Sequence, residues 1–304
     1  LSLGTLVAFI SYIRMFFRPI RDLAEKYNIL QNAMSSAERI LLILDTENTL
    51  SKTRLQISPL TMDRIREIRL EDVSFSYIGD EKVLKNITLQ INAGETIAVV
   101  GPTGAGKTSL VNLLPRFYDP TSGRILINDI DIRKLDSAVF RDKMALVMQE
   151  PFLFSGTIRE NIFEKAEHTT DESVQEIIDA ANCRALIQRL PDGLETVLTG
   201  GGTSISSGER QLISIARAFA RNPQLILFDE ATSYIDSQTE LWIQQALEKL
   251  MKNRTAMIIA HRLSTVRHVD RIIVLNRGRI IESGAHTELM DLQGFYYRLS
   301  QFQK

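Results

Sequence analysis

The segment Gly101-Pro102-Thr103-Gly104-Ala105-Gly106-Lys107-Thr108 holds three glycines, a lysine and two threonines in eight residues. It follows the apolar run Thr96–Val100 and precedes Ser109–Leu114, which reads as strand, glycine loop, helix. That is the context of a phosphate-cradling loop. Glycines let backbone N–H groups turn inward onto anionic oxygens. The helix that follows aims its positive end at the same oxygens. Contacts to a nucleotide are therefore expected from Gly101, Pro102, Thr103, Gly104, Ala105, Gly106, Lys107, Thr108 and Ser109. Lys107 is expected to reach the β- and γ-phosphates, and Thr108 to ligate Mg²⁺.

Further residues fit the same chemistry. Leu225–Phe228 is an apolar strand that runs into Asp229 and Glu230. Asp229 at the strand tip is placed to hold Mg²⁺, directly or through water. Glu230 is then expected to face the γ-phosphate and polarise the attacking water. Gln149 closes the apolar run Met144–Met148, where a neutral amide can touch Mg²⁺ or that water. His261 follows Ala256–Ala260 and can bridge phosphate and water. The segment Ile205–Gln211 is polar and opens a strong helix, so Ser206 and Gly208 offer a second anion-binding end. Tyr77 can stack on a purine ring.

These residues need a scaffold. Alternating or continuous apolar runs at 68–77, 87–91, 124–127, 144–148, 225–228, 256–260 and 271–275 predict strands. Helical patterns between them predict a mostly parallel α/β sheet. Residues 157–221 lack such runs and read as mainly helical. Upstream, Leu23, Tyr27, Leu30, Met34, Ala37, Leu41 and Leu44 alternate spacings of four and three. This is a helical stripe that needs a partner helix. Residues 1–13 are apolar but too few to span a bilayer, which takes about 20. Arg14, Arg18 and Arg21 follow, as on the cytosolic side of a membrane helix; an amphipathic helix of a soluble protein has the same pattern. No signal peptide is expected. Residues 45–65, mixed in character with Pro59, read as a linker.

The 304 residues are 44% apolar with net charge −1, so no broad basic face points to nucleic acid. A single cysteine, Cys183, excludes an internal disulfide and suits a reducing compartment.

In this order, residues 66–304 resemble the nucleotide-binding domain of ABC transporters. The resemblance implies that Tyr77 stacks on adenine, that Gly101–Thr108 is the Walker A loop and that Gln149 is the Q-loop residue. It further implies that Ile205–Glu209 is the signature motif and that Asp229 and Glu230 are the Walker B aspartate and catalytic glutamate. Ser233–Asp236 then matches the D-loop and His261 the switch histidine. The run Gln149–Ile162 resembles exporters rather than importers, and residues 1–44 resemble the end of the last membrane helix of a type IV exporter.

The implied fold is a P-loop NTPase (RecA-like) core with an antiparallel β subdomain and an inserted helical subdomain, about 157–221, preceded by a long helix. The implied function is that of an ATP-hydrolysing exporter motor using ATP and Mg²⁺, on the cytoplasmic face of the plasma (inner) membrane. The implied partners are the membrane domain of the same polypeptide and a second nucleotide-binding domain, in a homodimer or heterodimer. Ser206, Gly208 and Glu209 would face the partner's ATP.

Five positions depart from the family pattern: Ile205 for leucine, Ser207 for glycine, Glu209 for glutamine, Gly200 for glutamate and Ile235 for leucine. A carboxylate at 209 is expected to weaken nucleotide binding, and Gly200 to alter coupling to the membrane helices. Such departures occur in heterodimers with unequal sites. Two other readings stand beside this one. A non-transport ABC ATPase acting on DNA or ribosomes is opposed by the neutral charge and the apolar N-terminal helix. A degenerate subunit that clamps ATP without hydrolysing it is opposed by Glu230, Gln149 and His261.

Overall fold

The computed structural model describes residues 2–46, 63–163, 170–198, 205–229, 235–260, 266–267 and 269–302. The chain divides into two compact units, Leu1–Ser51 and Lys52–Lys304.

Among its described residues the first unit holds one helix, α1 (Leu3–Leu44), capped by Ser2 and 42 residues long, or about 63 Å at the α-helical rise. Pro19 sits inside it and removes one backbone donor. Within the unit no residue of α1 is buried. Leu6, Phe9, Phe16, Phe17 and Ile20 are exposed, as are Leu23, Tyr27, Leu30, Met34, Leu41 and Leu44 of the predicted stripe. Among the described residues, α1 is the one helix long and apolar enough to cross a membrane.

The second unit starts with β1 (Glu67–Phe75), β2 (Leu84–Asn92), β3 (Thr96–Val100), α2 (Lys107–Leu113), β4 (Ser122–Ile127) and β5 (Ile130–Asp131). It continues through α3 (Ser137–Asp142), β6 (Met144–Val147), β7 (Gly156–Thr157), α4 (Ile158–Ile162), α5 (Asp171–Ala180), α6 (Arg184–Arg189) and β8 (Val197–Leu198). The remainder is α7 (Ser207–Arg221), β9 (Leu225–Asp229), α8 (Ser237–Met251), β10 (Thr255–Ile259), β11 (Arg271–Asn276), β12 (Arg279–Gly284), α9 (His286–Asp291) and α10 (Phe295–Phe302).

The central sheet has the order β12-β11-β3-β10-β9-β6. Its strands pair in parallel, except for the antiparallel edge strand β12. The reason lies in the sequence period. Successive side chains on a strand point to opposite faces, and here both faces are covered, so both sets are apolar. Ala98 and Val100, Ile226 and Phe228, Ala256 and Ile258, and Ile272 and Val274 enter one core with residues of α4, α5, α7 and α8. The alternate residues Ile97 and Val99, Leu225 and Leu227, Met257 and Ile259, and Ile273 and Leu275 enter the other. That second core is shared with α2 and with an antiparallel sheet of order β2-β1-β4-β5.

The structure differs from the sequence reading at several points. β6 ends at Val147, so Gln149 lies two residues beyond the strand instead of closing it. The described part of the 157–221 insert is mainly helical, yet it contains β8, which pairs antiparallel with β7 over two residues and sets α4–α6 apart from α7. β1 ends at Phe75, which leaves Tyr77 in the following loop.

Candidate functional site

The sheet sets the site by topology. In open α/β sheets, ligands bind outside the carboxyl ends of the parallel strands. The glycine loop leaves the end of β3, Asp229 ends β9, and Gln149 follows β6. Between β3 and β9 lies β10, whose next residue Ala260 donates its N–H to Val99 O at 3.1 Å. His261 follows Ala260, but His261, Glu230 and Ser233 lie outside the described residues.

The glycine loop is held closely against the sheet. Gly101 has φ +154, and a Cβ there would lie 2.1 Å from the carbonyl oxygen of Leu275 on β11. No side chain fits that approach. Ala105 O accepts the N–H of Gly278, in the β11–β12 turn, at 3.0 Å. Gly106 caps α2 in the left-handed region, so Lys107 begins the helix. Lys107 is buried, and its Nζ donates to Gly101 O at 2.8 Å and Pro102 O at 3.1 Å. Burial lowers its pKa below the ordinary lysine value, and the nearby Asp229 carboxylate partly opposes that shift. The ammonium thus closes the loop on itself, with donors ready for incoming phosphate oxygens. Next in sequence, the exposed Thr108 hydroxyl donates to Asp229 Oδ2 at 3.4 Å. A hydroxyl from the first turn of α2 and a carboxylate from the end of β9 supply hard oxygen donors of the kind Mg²⁺ prefers.

Tyr77 is half-exposed. Its phenol shares a 3.0 Å hydrogen bond with the Ser109 hydroxyl on α2. Its ring meets Phe75 and Tyr118 edge-on, with centroids at 4.8 and 5.1 Å. This ties an aromatic edge to the phosphate loop, a link that sequence spacing did not show. Stacking of a base on an aromatic ring contributes about 1–3 kcal/mol. Tyr77→Ala is therefore expected to weaken ATP binding about tenfold, and Tyr77→Phe by less than about threefold, as read by fluorescent-nucleotide titration.

Gln149 is exposed. The loop behind it is anchored by the buried Asn161, whose Oδ1 accepts Phe154 N–H at 2.8 Å and whose Nδ2 donates to Phe154 O at 2.9 Å. Arg217 on α7 donates to Asn161 O at 2.7 Å and Phe152 O at 3.2 Å. Arg217 carried no motif in the sequence reading, and Asn161 stood there only within the exporter-like run Gln149–Ile162; their contacts appear only once the helices are packed.

At the start of α7, Ser206 is the N-cap. Its hydroxyl accepts Glu209 N–H at 3.2 Å, and Glu209 Oε2 accepts Ser206 N–H at 2.8 Å, a reciprocal capping box. The other carboxylate oxygen of Glu209 pairs with Arg189 on α6. The carboxylate expected to disturb a nucleotide is thus turned back onto its own helix and paired with a cation. Gly208 is buried, and a Cβ there would lie 2.5 Å from Thr239 Cγ2 on α8, so close helix packing also requires that glycine. Ser206 and Ser207 stay exposed at the helix end. Asp236 caps α8 by accepting Thr239 N–H at 2.9 Å, and that bond lowers its pKa. Among the described residues, no group of three or more His, Cys, Asp or Glu gathers as a metal cluster. Cys183 is buried and its thiol is pushed up to about 12, which leaves it unreactive.

Residues 84–233 match the family model described as "ABC transporter". The whole chain is 46% identical to the uncharacterized ABC transporter ATP-binding protein YfiC of Bacillus subtilis (strain 168), across 50% of that protein. It is 45% identical, over 99% of its own length and 47% of the relative, to the fatty acid ABC transporter ATP-binding/permease protein of Mycobacterium tuberculosis (strain CDC 1551 / Oshkosh). An ATP-dependent lipid A-core flippase of Syntrophus aciditrophicus (strain SB) is 42% identical over 99% of the chain and 49% of that protein. The solved structure of a bacterial Atm1-family ABC exporter with ATP bound superposes with a TM-score of 0.78 at 33% identity, over 100% of this chain and 53% of that one. The chain spans about half the length of these relatives.

Proposed function

The chain belongs to the ABC transporter family through its ATP-binding domain, and we propose that it is the ATP-hydrolysing motor portion of an exporter, fused to the end of its last membrane helix. One observation carries the reading. The Lys107–Thr108–Asp229 cluster and the long apolar helix α1 occur in a single chain.

In this reading Lys107 exchanges its bonds to Gly101 O and Pro102 O for β- and γ-phosphate oxygens, and Tyr77 holds the adenine. Thr108 and Asp229, with Gln149, hold Mg²⁺. The metal, when bound, offsets the charge on the β- and γ-phosphates. Glu230 orients the attacking water, and His261 stabilises charge that develops on the γ-phosphate. Ser206 and the N-terminus of α7, with Gly208 and Glu209, face the ATP of a second nucleotide-binding domain. ATP then joins two chains, hydrolysis parts them, and α1 carries the movement toward the membrane helices. The assembly sits in the plasma (inner) membrane with this portion on the cytoplasmic face. The apolar surface of α1 disfavours a non-transport ATPase, and the presence of Glu230, Gln149 and His261 disfavours a subunit that clamps ATP without hydrolysing it.

A composite site makes turnover depend on encounter between chains. ATPase activity per chain, measured in detergent across a hundredfold dilution series, is expected to rise with concentration and then saturate. Constant specific activity down to dilute monomer overturns the shared-site reading.

A further inference from the structure

We infer that Arg189 is a charge-compensating positioning residue that makes Glu209 the electrical equivalent of a neutral amide at the anion-binding end of α7. The inference rests on the reading that this end faces a partner's triphosphate.

An α-helix carries roughly half a positive charge at its N-terminus, and that partial charge, with free N–H groups, attracts phosphate. A carboxylate in the first turn outweighs it. Glu209 is such a carboxylate, the one acidic residue in the first turn of α7. Left alone, it would stabilise the helix and repel an incoming triphosphate.

The surrounding geometry removes the conflict. Glu209 Oε2 is taken by Ser206 N–H at 2.8 Å, which fixes the side chain along its own helix. Oε1 is taken by the Arg189 guanidinium, from the last residue of α6. The Glu209 side chain is mostly enclosed, at 13% exposure, whereas Arg189 reaches in from solvent at 64%. A neutral glutamine carbonyl could make the same bond to Ser206 N–H and would need no cation. The pair Glu209–Arg189 therefore reproduces that cap with zero net charge. Ser206 serves the cap only as an acceptor, so its own O–H proton remains available to a phosphate oxygen. α6 and α7 lie 17 residues apart in sequence, between Arg189 and Ser207. Loss of the cation would thus change the field at the signature end without touching the P-loop.

The test is a double-mutant cycle on the detergent-solubilised chain, reading the concentration at which ATPase activity is half-maximal. Arg189→Met is expected to raise that concentration about fivefold at low salt, the scale of one partly exposed charge pair. The shift is expected to shrink toward twofold in about 0.5 M salt, where the Debye length is only a few ångström. Arg189→Lys keeps the charge and should stay within about twofold of the parent. In a Glu209→Gln background, Arg189→Met should shift the midpoint by less than about twofold, because no carboxylate is left to offset. Equal shifts in both backgrounds, or no shift in either, overturn the inference while the shared-site reading stands. A parent chain whose specific activity ignores concentration overturns both.

Discussion

Lys107→Met is expected to reduce ATP hydrolysis by at least about a hundredfold and leave the nucleotide-free chain no less stable. The catalytic loss follows from the position of the ammonium. Lys107 begins α2 under the glycine loop and is the cation that phosphates entering this loop would meet. Removing one preorganised donor from a developing anion typically costs about 10²–10³ in rate. Stability moves the other way because the ammonium is buried, and burial is the larger influence on its pKa. Its bonds to Gly101 O and Pro102 O are lost in the variant, but Pro102 is exposed and water can replace them.

The pH dependence gives a second check with a definite sign. The folded pKa lies below the unfolded one, so between the two values the unfolded chain binds the extra proton. Stability of the parent then rises with pH across that window. The penalty of the buried charge is present below the folded pKa and is relieved above it. Lys107→Met lacks the titrating group and should lack this rise. Urea unfolding of both chains from pH 7 to 10 reads the difference, and a parent curve that falls across the window contradicts the assigned burial.

Much of the site was legible in the sequence because each piece is local. The glycine loop lies between a strand and a helix that directly adjoin it. Asp229 ends a strand whose residues are apolar on both faces, the continuous run that a covered parallel strand shows. What stayed hidden depends on packing. β12 reads Arg279-Ile280-Ile281-Glu282-Ser283-Gly284 and has no buried residue, so its polar edge gave no apolar signal. β7 and β8 are two residues each, too short for any period. The Arg189–Glu209 pair bridges two helices, and the Tyr77–Ser109 bond joins residues 32 apart. No spacing rule reaches such contacts. The effect of Glu209 was read from its charge alone, and the neighbour that changes its meaning appears only in three dimensions.

Glu230→Gln is expected to slow hydrolysis by about 10²–10⁴, the contribution of a positioned general base, while ATP affinity changes little. Glu230 follows Asp229, whose strand pairs with β10 so that Asp229 lies opposite Ile259. Asp229 is thereby held at the carboxyl end of the sheet, where the Thr108 hydroxyl donates to it, and Glu230 is the next residue in sequence. An amide keeps the size and polarity of the side chain but takes up no proton from water at neutral pH. Binding should persist because Lys107, Thr108 and Asp229 are untouched. If ATP joins two chains, blocking the step that parts them must also shift the assembly. Cross-linking or light scattering in detergent with Mg·ATP should then show dimers that persist in the variant and disperse in the parent as nucleotide is consumed. The two readouts separate two failures. Parental turnover in Glu230→Gln removes Glu230 from the role of base. Slow turnover without dimers keeps the base and removes ATP as the bond between chains.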